Sequence, residues 1–234
     1  GFHRIAWDLR YPSVAPLSLD MEIESDPDEA PSGLLAAPGQ YTVTLTREVE
    51  GNVTELAGPV DFRVKPLYEG ALEGASPERT AAFWREIGDM QRALYAASTS
   101  LSQALRRADL MQEALNRSTT GPGELDNRLY DLKMTLFELD EALNGNRSRD
   151  EVGELGKPTI SSRVSVAFYG TSNSTYGPTP LHERSLEIAR EEFDTWKQKF
   201  SRIREEEIPA LEKALIEAGA PWIEGQKVFP DPGK

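Results

Sequence analysis

Apolar side chains recur every three or four positions between residues 76 and 115. The intervals alternate between four and three without a break, which is typical of a helix packed lengthwise against other helices. These seam positions are Phe83, Ile87, Met90, Leu94, Ala97, Leu101, Ala104, Ala108, Met111 and Leu115. Ser76 suits the N-cap and Pro77 the first helical position, and Glu78 complements the helix dipole. The pattern predicts one long helix that needs helical partners elsewhere in the chain.

Two later stretches carry the same spacing and supply those partners. The second helix has its seam at Leu125, Leu129, Leu132, Leu136, Leu139 and Leu143. The last long helix has its seam at Leu186, Ala189, Phe193, Trp196, Phe200 and Ile203, then, after a phase slip, at Ile208, Leu211 and Leu215. The slip lies beside Pro209, which removes one backbone hydrogen bond and should bend the rod.

A short helix completes the helical part. It begins near Pro158 and turns Ile160, Val164 and either Ala167 or Phe168 inward. Residues 77–234 are therefore expected to form an antiparallel bundle of three long helices and one short helix, with an apolar C-terminal tail lying back on it.

Residues 1–66 have the period of β-strands instead. Ile5, Trp7 and Leu9 alternate with polar neighbours, residues 17–23 alternate again, and residues 41–46 give the clearest strand before residues 60–64. Short strands, turn signals and a tryptophan favour a small antiparallel Ig-like β-sandwich with Trp7 in its core. The predicted fold is α+β and multidomain: the sandwich at 1–66, a glycine-containing linker at 67–76, and the bundle at 77–234.

Composition narrows the classes of function. The 234 residues carry a net charge of -13 and no cysteine. Phosphate binding needs clustered Lys and Arg, so a nucleic acid or an anionic membrane is not an expected partner. Disulfides and thiolate chemistry are excluded. No apolar run is long enough to span a membrane, and the chain opens on a strand without an initiator Met, so we expect a piece or mature product of a longer protein.

The sequence offers little catalytic chemistry. Neither His3 nor His182 follows a glutamate at the spacing of a di-iron bundle, and both are expected to be structural or exposed. The acidic run from Asp20 to Glu29 has the oxygen ligands of a calcium site but not the spacing of a known loop, which favours a solvated loop. Glu205–Glu207 is interpreted as a solvated helix face. No catalytic residue, cofactor or metal ligand is therefore predicted.

Trp84 and Trp222 lie outside the seams. Both are expected to cover the junction between the sandwich and the bundle.

Two stretches form a pair of signatures: Gly1-Phe2-His3-Arg4-Ile5-Ala6-Trp7-Asp8-Leu9-Arg10-Tyr11 and Ala37-Pro38-Gly39-Gln40-Tyr41-Thr42-Val43-Thr44-Leu45. They resemble the Ig-like segment near the C-terminus of large bacterial exported proteins with sialidase- or sortilin-type β-propeller repeats, often labelled glycosyl hydrolases. A helical region follows that strand in the family. The flagellar hook-cap type of Ig-like domain has a similar pattern.

The resemblance implies structural roles for the signature residues. Trp7 would fill the sandwich core, while Asp8 and Arg10 would fix the next turn by pairing. Pro38 and Gly39 would set a tight entry that turns Tyr41 inward, together with Val43 and Leu45. Catalytic residues of the family would lie in the propeller, so none is carried over.

These observations lead to an expected function. The chain is interpreted as a non-catalytic structural or interaction module at the C-terminus of an exported bacterial protein. It would pack on the upstream propeller or another protein, at the cell surface, in the periplasm or outside the cell. The alternatives are a glycoside hydrolase fragment that contributes to carbohydrate binding or hydrolysis, and a carbohydrate-binding module with exposed aromatic side chains.

Overall fold

The computed structural model describes residues 2, 4–17, 32–67, 73–154, 156–174 and 176–226. The elements are β1 Gly39–Val49, β2 Asn52–Val64, α1 Pro77–Asn116, α2 Glu124–Asn144, α3 Arg147–Glu151, α4 Ile160–Ser172, α5 Pro180–Arg202, a π-helical turn Ile203–Glu207 and α6 Ile208–Glu217. The chain divides into two compact units, residues 1–89 with 167–183 and residues 90–166 with 184–234. The predicted boundaries at 66 and 77 stay a prediction.

The long helix forms where the periodicity placed it. α1 runs for 40 residues, and every seam position from Phe83 to Leu115 is buried. Its first turn is capped as expected, because the Ser76 hydroxyl accepts a hydrogen bond from the Arg79 backbone N–H at 3.2 Å. The alternating four-and-three spacing is therefore confirmed as a buried stripe along the whole helix.

The second unit is built from helices that pack through the predicted seams. From Leu129 to Leu143 the α2 leucines are buried, as are most of the seam side chains of α5 and α6. Trp196 of α5 donates its indole N–H to the Leu139 carbonyl of α2 at 2.9 Å, so the ring is held in the core with its polar atom satisfied. Lys133 of α2 pairs with Asp109 of α1 at 2.6 Å.

The phase slip in the last helix is a π-helical turn. The Ile208 N–H bonds to the Ile203 carbonyl five residues earlier, and both isoleucines are buried. One extra residue per turn shifts the seam by the amount that the sequence shows. Pro209 is the second residue of α6, which follows the turn, and it has no N–H to offer to the helix.

In the first unit, the start of α1 contacts the end of α4 and the start of α5. Trp84 donates its indole N–H to the Thr171 hydroxyl at 3.0 Å, and Thr171 is fully buried. The pKa of the Arg79 guanidinium is raised chiefly by its hydrogen bond to Glu183, at 2.5 Å. These contacts fix α1 beside the α4–α5 connection.

The N-terminal segment of the first unit reaches α1 at a glycine. A Cβ built on Gly88 would lie 3.2 Å from a Leu34 methyl carbon and 3.9 Å from one of Val14. A Cβ at Gly88 would crowd the Leu34 side chain and would be in ordinary contact with Val14, so this glycine permits the close approach.

The predicted Ig-like β-sandwich is wrong. Within the described ranges there is a single two-stranded antiparallel sheet, β1–β2, and the segment before it contributes only one isolated bridge, Arg10 with Leu35. Ile5 is 85% exposed and Trp7 is 42% exposed, so neither lies in a core. Alternation predicted the strand period correctly for β1, but a sandwich also needs a second sheet to cover the apolar face, and the part of the chain described here provides none. Most of residues 17–23 lies outside the described residues.

Candidate interaction surface

The first signature stretch makes a tight turn around Arg10. The Trp7 indole N–H donates to the Arg10 carbonyl at 2.8 Å, and the Asp8 carboxylate accepts from the Arg10 backbone N–H at 2.9 Å. The Arg10 guanidinium donates instead to the Gly33 carbonyl, also at 2.8 Å. Asp8 and Arg10 thus hold the turn through backbone groups, whereas the resemblance implies that they pair with each other.

Trp7 belongs to an aromatic cluster at the base of the hairpin. Its ring lies edge-on to Tyr41 at 5.4 Å and to Phe62 at 6.1 Å, and Tyr41 stacks on Phe62 at 5.9 Å between ring centroids. Such offset and edge-on pairs add stability beyond the area they bury. The cluster fastens the N-terminal turn to the first residues of β1 and the last of β2.

Tyr41 also closes the turn that enters β1. Its hydroxyl donates to the Ala37 carbonyl at 2.6 Å, so the ring spans Pro38 and Gly39. Desolvation, followed by a hydrogen bond with Tyr11, raises the pKa of the Tyr41 phenol. The signature residues Trp7, Asp8, Arg10, Pro38, Gly39 and Tyr41 therefore lie in one local structure.

Sequence reasoning missed Phe62 as a member of this cluster. It lies directly opposite Tyr41 in the strand register. The alternation of residues 60–64 was visible in the sequence, but nothing in it sets the register that brings these two rings together.

One face of the hairpin is apolar and open to solvent. Cross-strand partners share a face, and alternation along each strand extends it. We call this surface the apolar hairpin face: Tyr41, Val43, Leu45, Ala57, Val60 and Phe62. Val43 is 55% exposed, Leu45 51% and Val60 60%. The prediction that Val43 and Leu45 turn into a core is therefore wrong.

The opposite face of the hairpin is polar. It carries Thr42, Thr44 and Thr46 from β1, with Glu55 and Asp61 opposite them on β2. The hairpin is thus amphipathic in the manner of a sheet that rests one face on an apolar body. A two-stranded hairpin is only marginally stable alone in water. The arrangement is suited to contact with another surface.

The remaining candidates from the sequence lie in unremarkable surroundings. His182 accepts a hydrogen bond from the Thr179 backbone N–H at its Nδ1, 3.3 Å away, in the first turn of α5. Glu206 and Glu207 line an open groove of about 440 Å³ together with Arg128, Asp131 and Arg202. Arg202 pairs with Glu207 at 3.2 Å, as expected of a solvated, salt-bridged helix face.

The described residues offer neither a metal site nor a membrane-spanning helix. In the ranges that the structure covers, no three His, Cys, Asp or Glu side chains group closely enough to hold a metal ion. His3 and the acidic run from Asp20 to Glu29 lie outside the described residues. No described helix is both long and apolar enough to cross a bilayer. Trp222 is 42% exposed in the C-terminal tail of the second unit.

Comparison with known proteins finds no matching family model, no similar curated protein and no similar solved structure.

Proposed function

We propose that this chain is a non-catalytic packing module of a larger exported bacterial protein. Its apolar hairpin face would rest on the β-propeller portion of that parent. The observation that carries the proposal is the exposure of that face, with Val43, Leu45 and Val60 each more than half open to solvent. Burying such side chains stabilises by about 25 cal/mol per Å² of apolar surface, so an open face of this kind favours association.

The composition of the face favours an uncharged, apolar occupant. Alternation places Arg47 on the same side, near the tip of the hairpin, as its only charged β1 neighbour. The acidic side chains of β2, Glu55 and Asp61, project from the other side. A partner surface that is apolar at its centre and carries a carboxylate opposite Arg47 would fit.

The signature residues support the choice of a propeller. Trp7 and Tyr41, which carry the resemblance to the propeller-bearing family, form the base of the apolar hairpin face. In that family the segment belongs to the same chain as the propeller. The residues of the resemblance and the residues of the open face are thus neighbours in space.

Titration calorimetry tests the proposal. The separately expressed propeller portion of the parent gene product is titrated with this chain, with Val60→Lys, and with Asp61→Lys as the control on the polar face. We expect binding with a negative heat-capacity change that Val60→Lys abolishes and Asp61→Lys preserves. Absence of binding, or equal loss in both variants, would contradict it.

Activity assays on the same proteins distinguish the packing role from the glycoside hydrolase alternative. Each is assayed on aryl glycosides and sialosides. Turnover by this chain alone that disappears on mutation of one carboxylate would replace the packing role by a hydrolytic one. Glycan-array hits that disappear with Trp7→Ala would replace it by carbohydrate binding.

A further inference from the structure

The two outer edges of the hairpin are unequal. β2 departs from regular pairing twice, because Val43 pairs with Val60 but Leu45 with Ala57, and Thr46 then pairs with Glu55. The first of these bulges contains Pro59, which has no N–H to offer. Bulges and prolines are devices that prevent further strands from adding to an edge. β2 therefore has a protected edge.

The edge of β1 has no such protection. Its 11 residues, Gly39–Val49, contain no proline, and the extra residues of both bulges lie on β2. Residues 42–49 are all exposed, and among the described residues β1 pairs with β2 alone. A regular exposed strand of this kind presents unpaired N–H and C=O groups to another strand.

The sequence of β1 is complementary to itself when two copies run antiparallel about Thr44. Thr44 then faces Thr44, Thr42 faces Thr46, and Val43 faces Leu45. Threonine pairs and aliphatic pairs are favourable cross-strand neighbours. No like charges oppose each other in this register.

The two charged side chains of β1 also find suitable neighbours in that register. Arg47 lies opposite Tyr41 of the other copy, where the guanidinium can approach the ring face. Glu48 lies opposite Gln40, whose amide donates hydrogen bonds to carboxylates.

We propose that β1 pairs antiparallel with β1 of a second copy of this chain, about a two-fold axis at Thr44. The result is a four-stranded sheet in the order β2–β1–β1–β2, with the apolar hairpin faces of both copies on one side. This inference rests on the proposed function in treating the hairpin as an interaction element, and it names a second partner for it. A two-fold interface of this type is the commonest in soluble oligomers.

The net charge gives the dimer a specific salt dependence. Each copy carries -13, so two copies repel one another at low ionic strength. Salt screens that repulsion, whereas the backbone hydrogen bonds of the paired edge are uncharged. Dimerisation should therefore strengthen as salt is added.

Sedimentation velocity tests the dimer. The chain and its charge variants at the two-fold axis are measured from low to high micromolar concentration, in low and in high salt. Thr44→Lys and Thr44→Glu each place like charges opposite one another, and each should weaken the dimer about fivefold. An equimolar mixture of the two variants should restore association as a heterodimer.

Two variants on β2 provide matched controls. Val53→Lys lies opposite Glu48, and Thr54→Glu lies opposite Arg47, so each adds the same charge beside an opposite one within the hairpin. Both should dimerise as the parent chain does, and circular dichroism should show equal helix content in every variant.

A chain that stays monomeric at all concentrations and salts would overturn the inference. So would Thr44 variants that dimerise as tightly as the controls, or a mixture that fails to associate. Val60→Lys distinguishes the two proposals, since it should abolish binding of the propeller and leave the dimer intact. Failure of the propeller titration with a normal Thr44 series would thus contradict the packing role alone.

Discussion

The seam of α1 and the apolar hairpin face are both stripes of aliphatic and aromatic side chains, but their surroundings differ. Every seam residue of α1 is buried, with Ile87 and Met111 fully so. On the hairpin, Val43 and Val60 remain more than half exposed. A helical seam at heptad spacing meets other seams of the same chain, whereas the hairpin face has no second sheet opposite it among the described residues.

An apolar stripe determines which element forms and which side of it avoids water, but it does not determine what packs against that side. The helices meet because several segments carry the same spacing and short connections bring them together. For a hairpin, the matching surface has to be supplied by another segment or another molecule. The contrast between the two stripes predicts different responses to the same kind of mutation.

The largest effect is expected from truncation in a seam. Leu136→Ala removes a fully buried side chain from α2 and should cost about 2–5 kcal/mol of unfolding free energy. Val60→Ala on the apolar hairpin face should cost less than about 0.5 kcal/mol, because solvent already surrounds that side chain. Chemical denaturation of the two variants measures both values. Equal costs would mean that the hairpin face is covered in solution.

The next effect concerns a charge pair inside the second unit. Arg107 of α1 pairs with Glu212 of α6 and also donates to the Glu224 carbonyl at 2.6 Å. Glu212 is only 8% exposed, so Arg107→Ala leaves a carboxylate with little solvent and without its partner, at a cost of about 1–3 kcal/mol. Arg117→Ala, which breaks an exposed pair with Glu113, should cost no more than about 0.5 kcal/mol. Thermal melts in low and high salt compare them, and a similar loss in both would refute the distinction.

A smaller effect is expected at the start of α1. Ser76→Ala removes the cap of the Arg79 N–H and should lower the unfolding free energy by about 1 kcal/mol. Ser76→Asp keeps an acceptor and adds a favourable charge near the helix dipole, so it should restore stability. Urea titrations measure the three proteins. If Ser76→Ala left the free energy of unfolding unchanged, the seam alone would fix where the helix begins.

The smallest change in stability should appear at the hairpin in alkaline solution. Because the pKa of Tyr41 is raised in the folded chain, the protonated phenol is favoured there. The contribution of the Tyr41 phenol to the free energy of unfolding is fully present below the ordinary tyrosine pKa of about 10. It is lost as the pH rises through the raised pKa of the folded chain. Near-ultraviolet circular dichroism should show the aromatic cluster loosening in that range. The Tyr41→Phe variant should lack this alkaline transition. If the transition persists in that variant, it belongs to another tyrosine.

Much of the helical part could be predicted from the sequence because its information is local. The spacing of Phe83, Ile87 and Met90 fixes both the element and its buried side. The interval of five positions from Ile203 to Ile208 indicates the phase slip, although not its π-helical form. The cap at Ser76 is likewise a matter of neighbouring residues.

The β part could not be predicted in the same way. Alternation identified β1, but the register that pairs Tyr41 with Phe62 and the bulges on β2 depend on residues far apart in sequence. A tryptophan between alternating residues is typical of a sandwich core, and this pattern predicts a core position for Trp7. Its contacts instead hold a turn to the base of a hairpin.

The π-helical turn holds one residue more than the seam of the last helix requires. Removing Glu206 would leave three residues between the two isoleucines now at 203 and 208, a spacing of four positions, so an ordinary α-helical turn would keep both on the buried side. Pro209 would then sit inside a regular helix and crowd the carbonyl one turn before it. A chain that lacks Glu206 should therefore fold well only when Pro209→Ala accompanies the deletion. The π-helical turn is thus the form of this helix that is compatible with Pro209.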